Sequence, residues 1–501
     1  MCGIVGYIGK KNALSILIDG IKNLEYRGYD SSGLVIAVKS NEVNVFFEKS
    51  VGKVSNLESK VKKTIKPKIN QLSKNSIQSG ICHSRWATHG IPSEENAHPH
   101  FDCKKEIYLV HNGIIENYSE LKSTLIKNGH IFTSETDSEV IAHLIEEEKK
   151  NISGKPKIEK AVKNALLKIK GTYGLVVIDT KEPEKLIAAR NFSPLLIGIG
   201  KGEYFVASDA TAILKLTRKV VYLEDGDLAV LNIKGYKITG LSEKRKHHIP
   251  QIIDWSAEKI RKGNYPHFML KEINEQPESI ADSIRGRIDF KNGIPVLGGL
   301  LNIKKQLKNK TRVIISGMGT AYYAGLITKN YIEELAKISV VAEPASELHS
   351  RKQIYFPSSD IFLCFSQSGE TADTLSALRD AKINNLLSLG VVNVVGSSIS
   401  RGTDAGVYQH IGPEIGVAST KAFTSQVTIG ALIAILLGLE LKTLKSVDAK
   451  NILSEIKKLP TKIGQILLQS EKIKQISKNY QEHNNFLFLG RKYNFPTALE
   501  G

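Results

Sequence analysis

A change in the pattern of predicted secondary structure divides the sequence in two. Up to about residue 240, short β-branched segments such as GIVGYIG (3–9) are separated by Gly, Asp and Asn and by occasional helical stretches. This pattern predicts an α+β domain of packed antiparallel sheets with helices. After residue 290, strands alternate with helices, as in TRVIISGMGT (311–320) followed by AYYAGLITKNYIEELAKI (321–338), which predicts an α/β domain built on a parallel sheet.

The stretch between these regions, residues 241–268, is charged, contains prolines and lacks a long apolar run, so we interpret it as a linker. Near the end, NNFLFLGRKYNFPTALEG (484–501) resembles RVIISGMGTAYYAG (312–325), and we expect the start of a second, truncated copy of the α/β unit. The expected domains are residues 2–240, a linker and interdomain segment 241–290, a first α/β unit 291–450, and the start of a second 451–501.

Charge and cysteine content limit the class of protein. The net charge is +18, but the lysines are spread along the chain among acids, which is typical of a solvated surface and does not favour nucleic-acid binding. Four scattered cysteines without zinc-ligand spacing predict a reducing, cytoplasmic compartment and no zinc site. We expect no metal and no cofactor. No basic leader precedes Cys2, and VTIGALIAILLGL (427–439) is typical of a buried core helix more than of a membrane span.

The opening stretch MCGIVGYIG (1–9) places a cysteine directly behind the initiator methionine. We expect the methionine to be removed, which would put a thiol and a free α-amine on Cys2. The reference pKa of such an amine is about 7.7–8.0, so it can accept the proton of a terminal nucleophile near neutral pH. This stretch alone favours chance, so the interpretation depends on the rest of the chain.

Polar residues downstream supply what a thiolate needs to attack an amide. An Asn amide beside a glycine N–H, as in Asn112-Gly113, can stabilise an oxyanion. Arg85 matches the carboxylate of an amino-acid substrate, and Asp137 matches its ammonium group. Each also has a structural interpretation: Asn-Gly is a common turn pair, Asp137 can cap the helix that follows, and His89, His98 and His100 can bond backbone groups in loops. Together the residues favour a nucleophilic site. They lie in EYRGYDSSG (25–33), HSRWATHG (83–90, expected to form one turn), NAHPH (96–100), LVHNGIIENY (109–118) and SETDSEV (134–140).

These motifs, in this order, resemble those of the class II glutamine amidotransferases, which are N-terminal-nucleophile glutaminases. The resemblance covers roughly residues 2–240, with Ser84 where Thr is expected. It implies that Cys2 attacks the side-chain amide of glutamine, with Asn112 and Gly113 as the oxyanion hole. It also implies that Arg85 and Asp137 hold the α-carboxylate and α-amine of glutamine, that Thr88 and His89 lie in the pocket, and that Trp86 lies near the ammonia exit.

Hydroxyl-rich turns mark a second site in the α/β region. They are SGMGTAYYAG (316–325), FSQSGETADTL (365–375) and PEIGVASTKAFTSQ (413–426), and such turns at helix N-termini suit a phosphate. With KEINEQPESI (271–280), they resemble the glutamine–fructose-6-phosphate aminotransferase family. The resemblance implies tandem sugar isomerase units assembled as a homodimer, with fructose 6-phosphate as acceptor. It implies a phosphate cradle of Ser366, Gln367, Ser368 and Thr371, and a sugar site lined by Thr320, Val417 and Ser419.

Two departures from the family pattern, Met318 for Cys and Ala321 for Ser, fall in the first of these turns. The family pattern also continues past ALEG (498–501) with the imine-forming lysine and the isomerising acid–base. We therefore expect this chain, as given, to hydrolyse glutamine without making glucosamine 6-phosphate.

Other functions remain open at this stage. Asparagine synthetases need an SGGxD loop and amidophosphoribosyltransferases need an acidic motif after a strand, and the sequence contains neither. A sugar-phosphate sensor with a vestigial glutaminase is a second alternative, and a nucleic-acid-binding protein a distant third. The favoured interpretation is glutamine-dependent synthesis of glucosamine 6-phosphate.

Overall fold

The computed structural model describes residues 2–25, 28–72, 76–86, 90–152, 157–241, 248–253, 262–308, 310–351 and 357–501. The chain divides into two compact units, Met1–Ala257 and Glu258–Gly501. The division lies inside the stretch 241–290 that we treated as a linker and interdomain segment, and the finer domain bounds stay a prediction.

The first unit is built from fourteen strands and six α-helices among its described residues. The strands are β1 (Gly3–Gly9), β2 (Ser31–Lys39), β3 (Val43–Val51), β4 (Ile77–Arg85), β5 (His100–Phe101), β6 (Ile107–Ile115), β7 (Gly171–Asp179), β8 (Leu186–Asn191), β9 (Leu196–Ile199), β10 (Tyr204–Ala207), β11 (Lys219–Tyr222), β12 (Asp227–Asn232), β13 (Gly235–Gly240) and β14 (Gln251–Ile252). The helices are α1 (Ala13–Lys22), α2 (Val54–Thr64), α3 (Lys66–Ile69), α4 (Tyr118–Lys127), α5 (Glu139–Lys150) and α6 (Ile158–Lys168).

Two antiparallel sheets face each other in this unit. One has the order β14-β11-β9-β10-β1-β4-β2-β3 and the other β13-β12-β8-β7-β6-β5. Apolar side chains such as Ile4, Val35, Val110 and Val176 fill the space between them. Helices α5 and α6 cover the outer face of the second sheet, and α1 packs on β1 and β4. The predicted α+β fold of packed antiparallel sheets with helices is confirmed.

The central position of β1 explains its composition. All seven of its residues are buried, since one face meets the opposite sheet and the other meets α1. Helix α1 begins after Asn12, whose side chain accepts the N–H of Ser15 at 3.1 Å. Its apolar residues Leu14, Leu17 and Ile21 are buried. The start of the chain is therefore held firmly in the middle of a sheet.

The stretch 83–90 is not the single turn that we expected, because residues 83–85 complete strand β4. This strand pairs with two neighbours at once, with Ser84 opposite Gly3 of β1 and Arg85 opposite Ser31 of β2. Its polar residues conceal it in the sequence, since pairing with strands distant in the chain overrides local preference.

The second unit contains the α/β part of the chain. Its strands are β15 (Ile288–Asp289), β16 (Ile294–Pro295), β17 (Arg312–Gly317), β18 (Ser339–Pro344), β19 (Asp360–Ser366), β20 (Leu387–Val392) and β21 (Ala405–Tyr408). Its helices are α7 (Phe268–Asn274), α8 (Gln276–Ile284), α9 (Lys304–Leu307), α10 (Thr320–Leu335), α11 (Ala345–Ser350), α12 (Ala372–Ile383), α13 (Ser398–Gly402), α14 (Lys421–Glu440), α15 (Ser446–Leu467), α16 (Ser470–Lys478) and α17 (Asn494–Glu500).

A five-stranded parallel sheet, in the order β18-β17-β19-β20-β21, organises this unit, as predicted. Helix α14 lies in its core, where Leu432, Ile433 and Leu437 are buried. Within the described part of the chain, α14 alone is long and apolar enough to cross a membrane, and 72 % of its most apolar window is buried inside the protein. It is the core helix that the sequence predicts.

The predicted strand at the start of the second copy does not form. Residues 484–491 belong to no strand, and the side chains of Phe486 and Leu487 are exposed. A strand requires a neighbour for its backbone N–H and C=O groups, and no strand among the described residues pairs with this segment. The helix expected after it is present as α17.

Candidate active site

The backbone that follows β4 holds the thiol of Cys2. Gly3 pairs with Ser84, so Cys2 lies beside the end of β4. The N–H of Trp86 donates to Cys2 Sγ at 3.2 Å, and the thiol faces the carbonyl oxygen of Trp86 at 3.6 Å. An N–H aimed at sulfur favours the thiolate, which is the nucleophilic form.

The side chain of Asn112 is fixed on both sides. Its Nδ2 donates to the carbonyl oxygen of Cys2 at 2.9 Å, and its Oδ1 lies 2.9 Å from Nε2 of His83. Because the carbonyl oxygen of Cys2 can only accept, the amide nitrogen of Asn112 must face it, and Oδ1 therefore accepts from Nε2 of His83. The bond to Cys2 uses one of two amide N–H donors.

Gly113 follows Asn112 in β6 with a φ of +140°. A Cβ at this position would lie 2.0 Å from the carbonyl oxygen of Thr172 on the neighbouring strand β7. The strand can take this path only with glycine. Asn112 and Gly113 are therefore part of a strand, although their sequence is a common turn pair.

The guanidinium of Arg85 lies close to the nucleophile. Its side chain is buried, and Nη2 donates to the carbonyl oxygen of Gly90 at 3.3 Å. Burial lowers the pKa of Arg85 from its ordinary value, while the negative charges of Cys2, Asp137 and Asp30 oppose that change. The structure thus brings both Cys2 and Asp137 within electrostatic reach of Arg85.

Asp137 does not act as a simple helix cap. Its Oδ2 accepts the N–H of Ile115 at the end of β6, at 2.7 Å. Ser138 takes the N-cap position of α5 without a side-chain cap bond. Since Ile115 is two residues beyond Gly113, this bond ties the carboxylate to the strand that carries Asn112 and Gly113.

Trp86 forms part of the rim. Its side chain is 41 % exposed and packs edge-on against Tyr29, with ring centroids 5.5 Å apart. Thr88 and His89, which the sequence places in the glutamine pocket, lie outside the described residues.

Four buried histidines lie behind these residues: His83, His98, His100 and His111. Burial lowers the pKa of each, and that of His83 falls to about 3. His111 donates from Nε2 to the carbonyl oxygen of Thr172 at 3.1 Å, so its Nδ1 accepts from Ser138 Oγ at 2.8 Å. His100 bonds the hydroxyl of Thr136, at 3.0 Å, and not a backbone group. These neutral rings support the site structurally.

In the second unit, the loop between β19 and α12 forms a compact turn. Ser366 Oγ accepts the N–H of Gly369 at 3.0 Å and lies 3.0 Å from Thr371 Oγ1, while Ser368 Oγ accepts the N–H of Glu370 at 3.2 Å. The carbonyl oxygen of Gln367 accepts the N–H of Asn393 at 3.1 Å. The hydroxyls of Ser366, Ser368 and Thr371 therefore gather at the N-terminus of α12, which suits an anion.

The remaining predicted sugar-site residues lie on two other segments. Thr320 begins α10, and because β17 pairs with β19, that helix starts at the same edge of the sheet as the Ser366 loop. Its hydroxyl donates to Glu500. Ser419 donates to Glu414 Oε2 at 2.8 Å, and Val417 is exposed. Met318 packs against the apolar cluster beside β19.

Comparisons with known proteins agree for both halves of the chain. A glutamine amidotransferase domain matches residues 83–215 and a SIS domain matches residues 306–436. The chain is 46 % identical to the isomerizing glutamine–fructose-6-phosphate aminotransferase of Chlorobaculum tepidum and 45 % identical to that of Bacteroides thetaiotaomicron, each match covering 100 % of this chain and 80 % of the relative. The chain belongs to the glutamine–fructose-6-phosphate aminotransferase family.

A solved structure from this family also matches. The C-terminal domain of the glucosamine-fructose-6-phosphate aminotransferase of Francisella tularensis is 34 % identical and covers 48 % of this chain and 67 % of its own, with a TM-score of 0.46. In this chain, the region that matches the glutamine amidotransferase domain contains Arg85, Asn112 and Asp137, and the region that matches the SIS domain contains Thr320 through Ser419.

Sequence reasoning missed the residues that orient the site. It gave no role to His83, Ser138 or Thr172, although His83 stands in the motif HSRWATHG. The available signal was a histidine two residues before an arginine. Its role is evident only in the fold, where β4 and β6 place His83 against Asn112.

Proposed function

We propose that this chain catalyses the glutamine-dependent conversion of fructose 6-phosphate to glucosamine 6-phosphate. Both parts of the reaction have a candidate site, one in each unit. The observation that carries the proposal is the arrangement at Cys2, where the N–H of Trp86 faces Sγ and Asn112 is bonded to the cysteine's own carbonyl. This arrangement suits a nucleophile with an oxyanion site beside it.

In the first half-reaction, the Cys2 thiolate attacks the carboxamide carbon of glutamine. The α-amine of Cys2, freed by loss of Met1, accepts the thiol proton and passes it to the departing nitrogen. The C–N bond breaks, ammonia leaves, and water hydrolyses the γ-glutamyl thioester to glutamate. The second N–H of Asn112 Nδ2 and the N–H of Gly113 stabilise the oxyanion that forms on the way.

Arg85 and Asp137 select the amino acid. Arg85 binds the α-carboxylate through charge-assisted hydrogen bonds and Asp137 binds the α-ammonium. The electrostatic interactions of Arg85 with Cys2 and with Asp137 support this assignment. The family resemblance assigns Thr88 and His89, which lie outside the described residues, to the pocket, and Trp86 to the ammonia exit.

In the second half-reaction, ammonia condenses with the C2 carbonyl of fructose 6-phosphate, water leaves, and the imine isomerises to the 2-amino aldose. The phosphate binds among the hydroxyls of Ser366, Ser368 and Thr371 with Gln367, at the N-terminus of α12. Thr320, Val417 and Ser419 line the sugar. The water consumed in the first half-reaction is returned in the second.

The experiment supplies glutamine and fructose 6-phosphate and measures glutamate and glucosamine 6-phosphate separately. From the sequence we expected glutamate alone from the chain as given, but the relatives that match its full length favour the synthase. We therefore expect both products from the wild-type chain and neither from Cys2→Ala. Cys364→Ala, which changes a cysteine of the other unit, should retain both. Glutamate release by Cys2→Ala would exclude Cys2 as the nucleophile. Glutamate without amino sugar from the wild-type chain would favour a glutaminase over the synthase.

We further propose that the protein works in the cytoplasm as a homodimer with no nucleic-acid partner. Four free cysteines support a reducing compartment. Light scattering tests the assembly, since a dimer has twice the chain mass of 55.2 kDa.

A further inference from the structure

A cluster of four metal-ligating groups lies in the first unit, outside the residues proposed to bind glutamine. Cys103 lies in the loop before β6, His130 follows α4, and His143 and Glu146 lie on α5. The cysteine is exposed, whereas the two histidines and Glu146 are buried. One ligand atom from each residue lies within 4.8 Å of the other three.

The distances between these atoms match a tetrahedral metal centre. Cys103 Sγ lies 3.6 Å from His130 Nδ1 and 3.5 Å from His143 Nδ1, and the two Nδ1 atoms are 3.3 Å apart. Glu146 Oε2 lies 3.2 Å from the first Nδ1 and 3.8 Å from the second. Four ligands placed tetrahedrally around zinc at ordinary bond lengths are separated by about 3.3 Å for N···N and about 3.6 Å for S···N.

The outer sides of both imidazoles face carboxylates. His130 Nε2 lies 3.1 Å from Glu147 Oε2, and His143 Nε2 lies 3.6 Å from Glu139 Oε1. The hydrogen bond to Glu147 fixes the proton of His130 on Nε2 and leaves its lone pair on Nδ1. The negative charge of Glu139, 3.6 Å away without a hydrogen bond, favours the same tautomer for His143. Both Nδ1 lone pairs, the sulfur and Glu146 Oε2 then converge on one point. Four electron-pair donors at one point need either shared protons or a metal cation between them.

We propose that Cys103, His130, His143 and Glu146 bind a structural Zn²⁺ ion. Thiolate and imidazole ligands suit zinc over magnesium or calcium, and four protein ligands complete its coordination, as in structural zinc sites. The ion would join the loop before β6 and the segment after α4 to α5. Lys150 lies 3.6 Å from Oε1 of Glu146 and pairs with that oxygen. Oε2 accepts the N–H of Cys103 at 3.2 Å and has a second lone pair for the metal.

The spacing of these residues explains why the sequence predicts no metal site. The ligands are separated by 27 residues between Cys103 and His130 and by 13 between His130 and His143. No short Cys/His motif results, and the fold alone brings the four groups together.

The test measures zinc content and affinity in the full chain. Wild type, stripped with a chelator and reloaded with Zn²⁺, should retain one ion per chain with a submicromolar Kd in competition with a chromophoric chelator. Cys103→Ser and His143→Ala should lose it. Cys2→Ala and His349→Ala, which change a second accessible thiol and a histidine paired with Asp380, should keep it.

Two further measurements test the proposal even if a ligand variant fails to fold. Glu147→Gln leaves every ligand in place and should weaken zinc binding by about 10- to 100-fold. Co²⁺ loaded into wild type should show a thiolate charge-transfer band and intense tetrahedral d–d bands. The proposal is overturned if wild type binds neither metal at micromolar concentration, if the Co²⁺ spectrum lacks the thiolate band, or if Cys103→Ser and His143→Ala retain full zinc content.

Discussion

At the residue scale, a backbone group and not a side chain positions the nucleophile. Sulfur in Cys2 receives the N–H of Trp86, and every residue but proline offers such a group. Position 28, in contrast, must be glycine, because a Cβ there would lie 2.8 Å from the backbone of Arg85 and Trp86. The contact at the thiol therefore depends on a glycine far from it in the sequence.

The role of Arg85 predicts a selective kinetic defect. Arg85→Ala should raise the KM for glutamine about 10- to 100-fold, because a charge-assisted contact contributes about 1.5–3 kcal/mol. Steady-state glutamate release measures the change. Arg351→Ala, which breaks the exposed pair with Glu343, is the matched control and should leave KM unaltered. An unchanged KM in Arg85→Ala would remove this residue as the carboxylate anchor.

The backbone at Gly113 predicts a larger loss than a positive φ alone would cause. Gly113→Ala adds a Cβ 2.0 Å from the carbonyl oxygen of Thr172 and strains φ at +140°. Gly202→Ala also strains a positive φ, +67°, but its Cβ meets open space. The control should lose about 1–3 kcal/mol of unfolding free energy, and Gly113→Ala more, together with glutaminase activity. Urea unfolding compares them, and equal losses would contradict the steric argument.

At the scale of elements, strands β4, β5 and β6 carry a group of buried neutral histidines. The structure places His83 against Asn112 and His111 between Ser138 and Thr172. Protonating either ring would place a charge inside the unit and alter the bonds that orient the site. The three strands therefore make the first unit sensitive to acid.

This sensitivity has a definite sign. The folded pKa of His83 is about 3 against 6.5 ordinarily, and those of His98, His100 and His111 are also lowered by burial. At a pH between the folded and the ordinary pKa, the histidines bind protons in the unfolded chain but not in the folded unit. The full unfolding free energy is present above pH 6.5 and falls as pH drops toward 3, by about 1.4 kcal/mol per pH unit for each fully shifted histidine.

Urea unfolding of the first unit at pH 7 and pH 5 measures the effect, and His83→Gln should reduce the difference. Equal midpoints at the two pH values would mean that these rings are charged in the folded state.

Elements also show what the sequence could predict. Alternation of strand and helix predicted β17, α10, β19 and α12, because each is signalled by its own residues. Strand β4 was missed at residues 83–85, since its neighbours β1 and β2 lie elsewhere in the chain. The segment 486–489 has the composition of a strand but lacks a partner. Local pattern predicts elements, and pairing decides which of them form.

The same division holds for the candidate site. Cys2, Arg85, Asn112, Gly113 and Asp137 were identified from residue types that suit attack on an amide, together with a family resemblance. Asn112 bonds the carbonyl oxygen of Cys2, and Asp137 bonds the N–H of Ile115. Both partners are backbone groups, which every sequence contains. No sequence pattern distinguishes them, so geometry alone supplies this part of the site.

At the scale of the whole molecule, the two compact units predict separable activities. Residues 1–257 expressed alone should hydrolyse glutamine and make no glucosamine 6-phosphate, because every described glutaminase residue lies in the first unit. Residues 1–240 should be less stable, since they lack β14, which pairs with β11. They also lose Ile253, whose N–H donates to the carbonyl oxygen of Arg218 at 2.9 Å and whose carbonyl oxygen accepts from Nε of the same arginine at 2.6 Å.

Glutamate release and thermal unfolding compare the two fragments. An inactive but folded 1–257 fragment would show that the glutaminase needs the second unit.

The position of Trp86 makes its fluorescence a probe of the reaction at Cys2. The chain has two tryptophans, and the other, Trp255, lies outside the described residues. In a Trp255→Phe variant, tryptophan emission would come from Trp86 alone. The backbone N–H of Trp86 donates to the reactive sulfur, and its ring is partly exposed to solvent. Acylation of that sulfur would change the surroundings of the ring, so stopped-flow fluorescence could follow formation and decay of the thioester without a coupled assay.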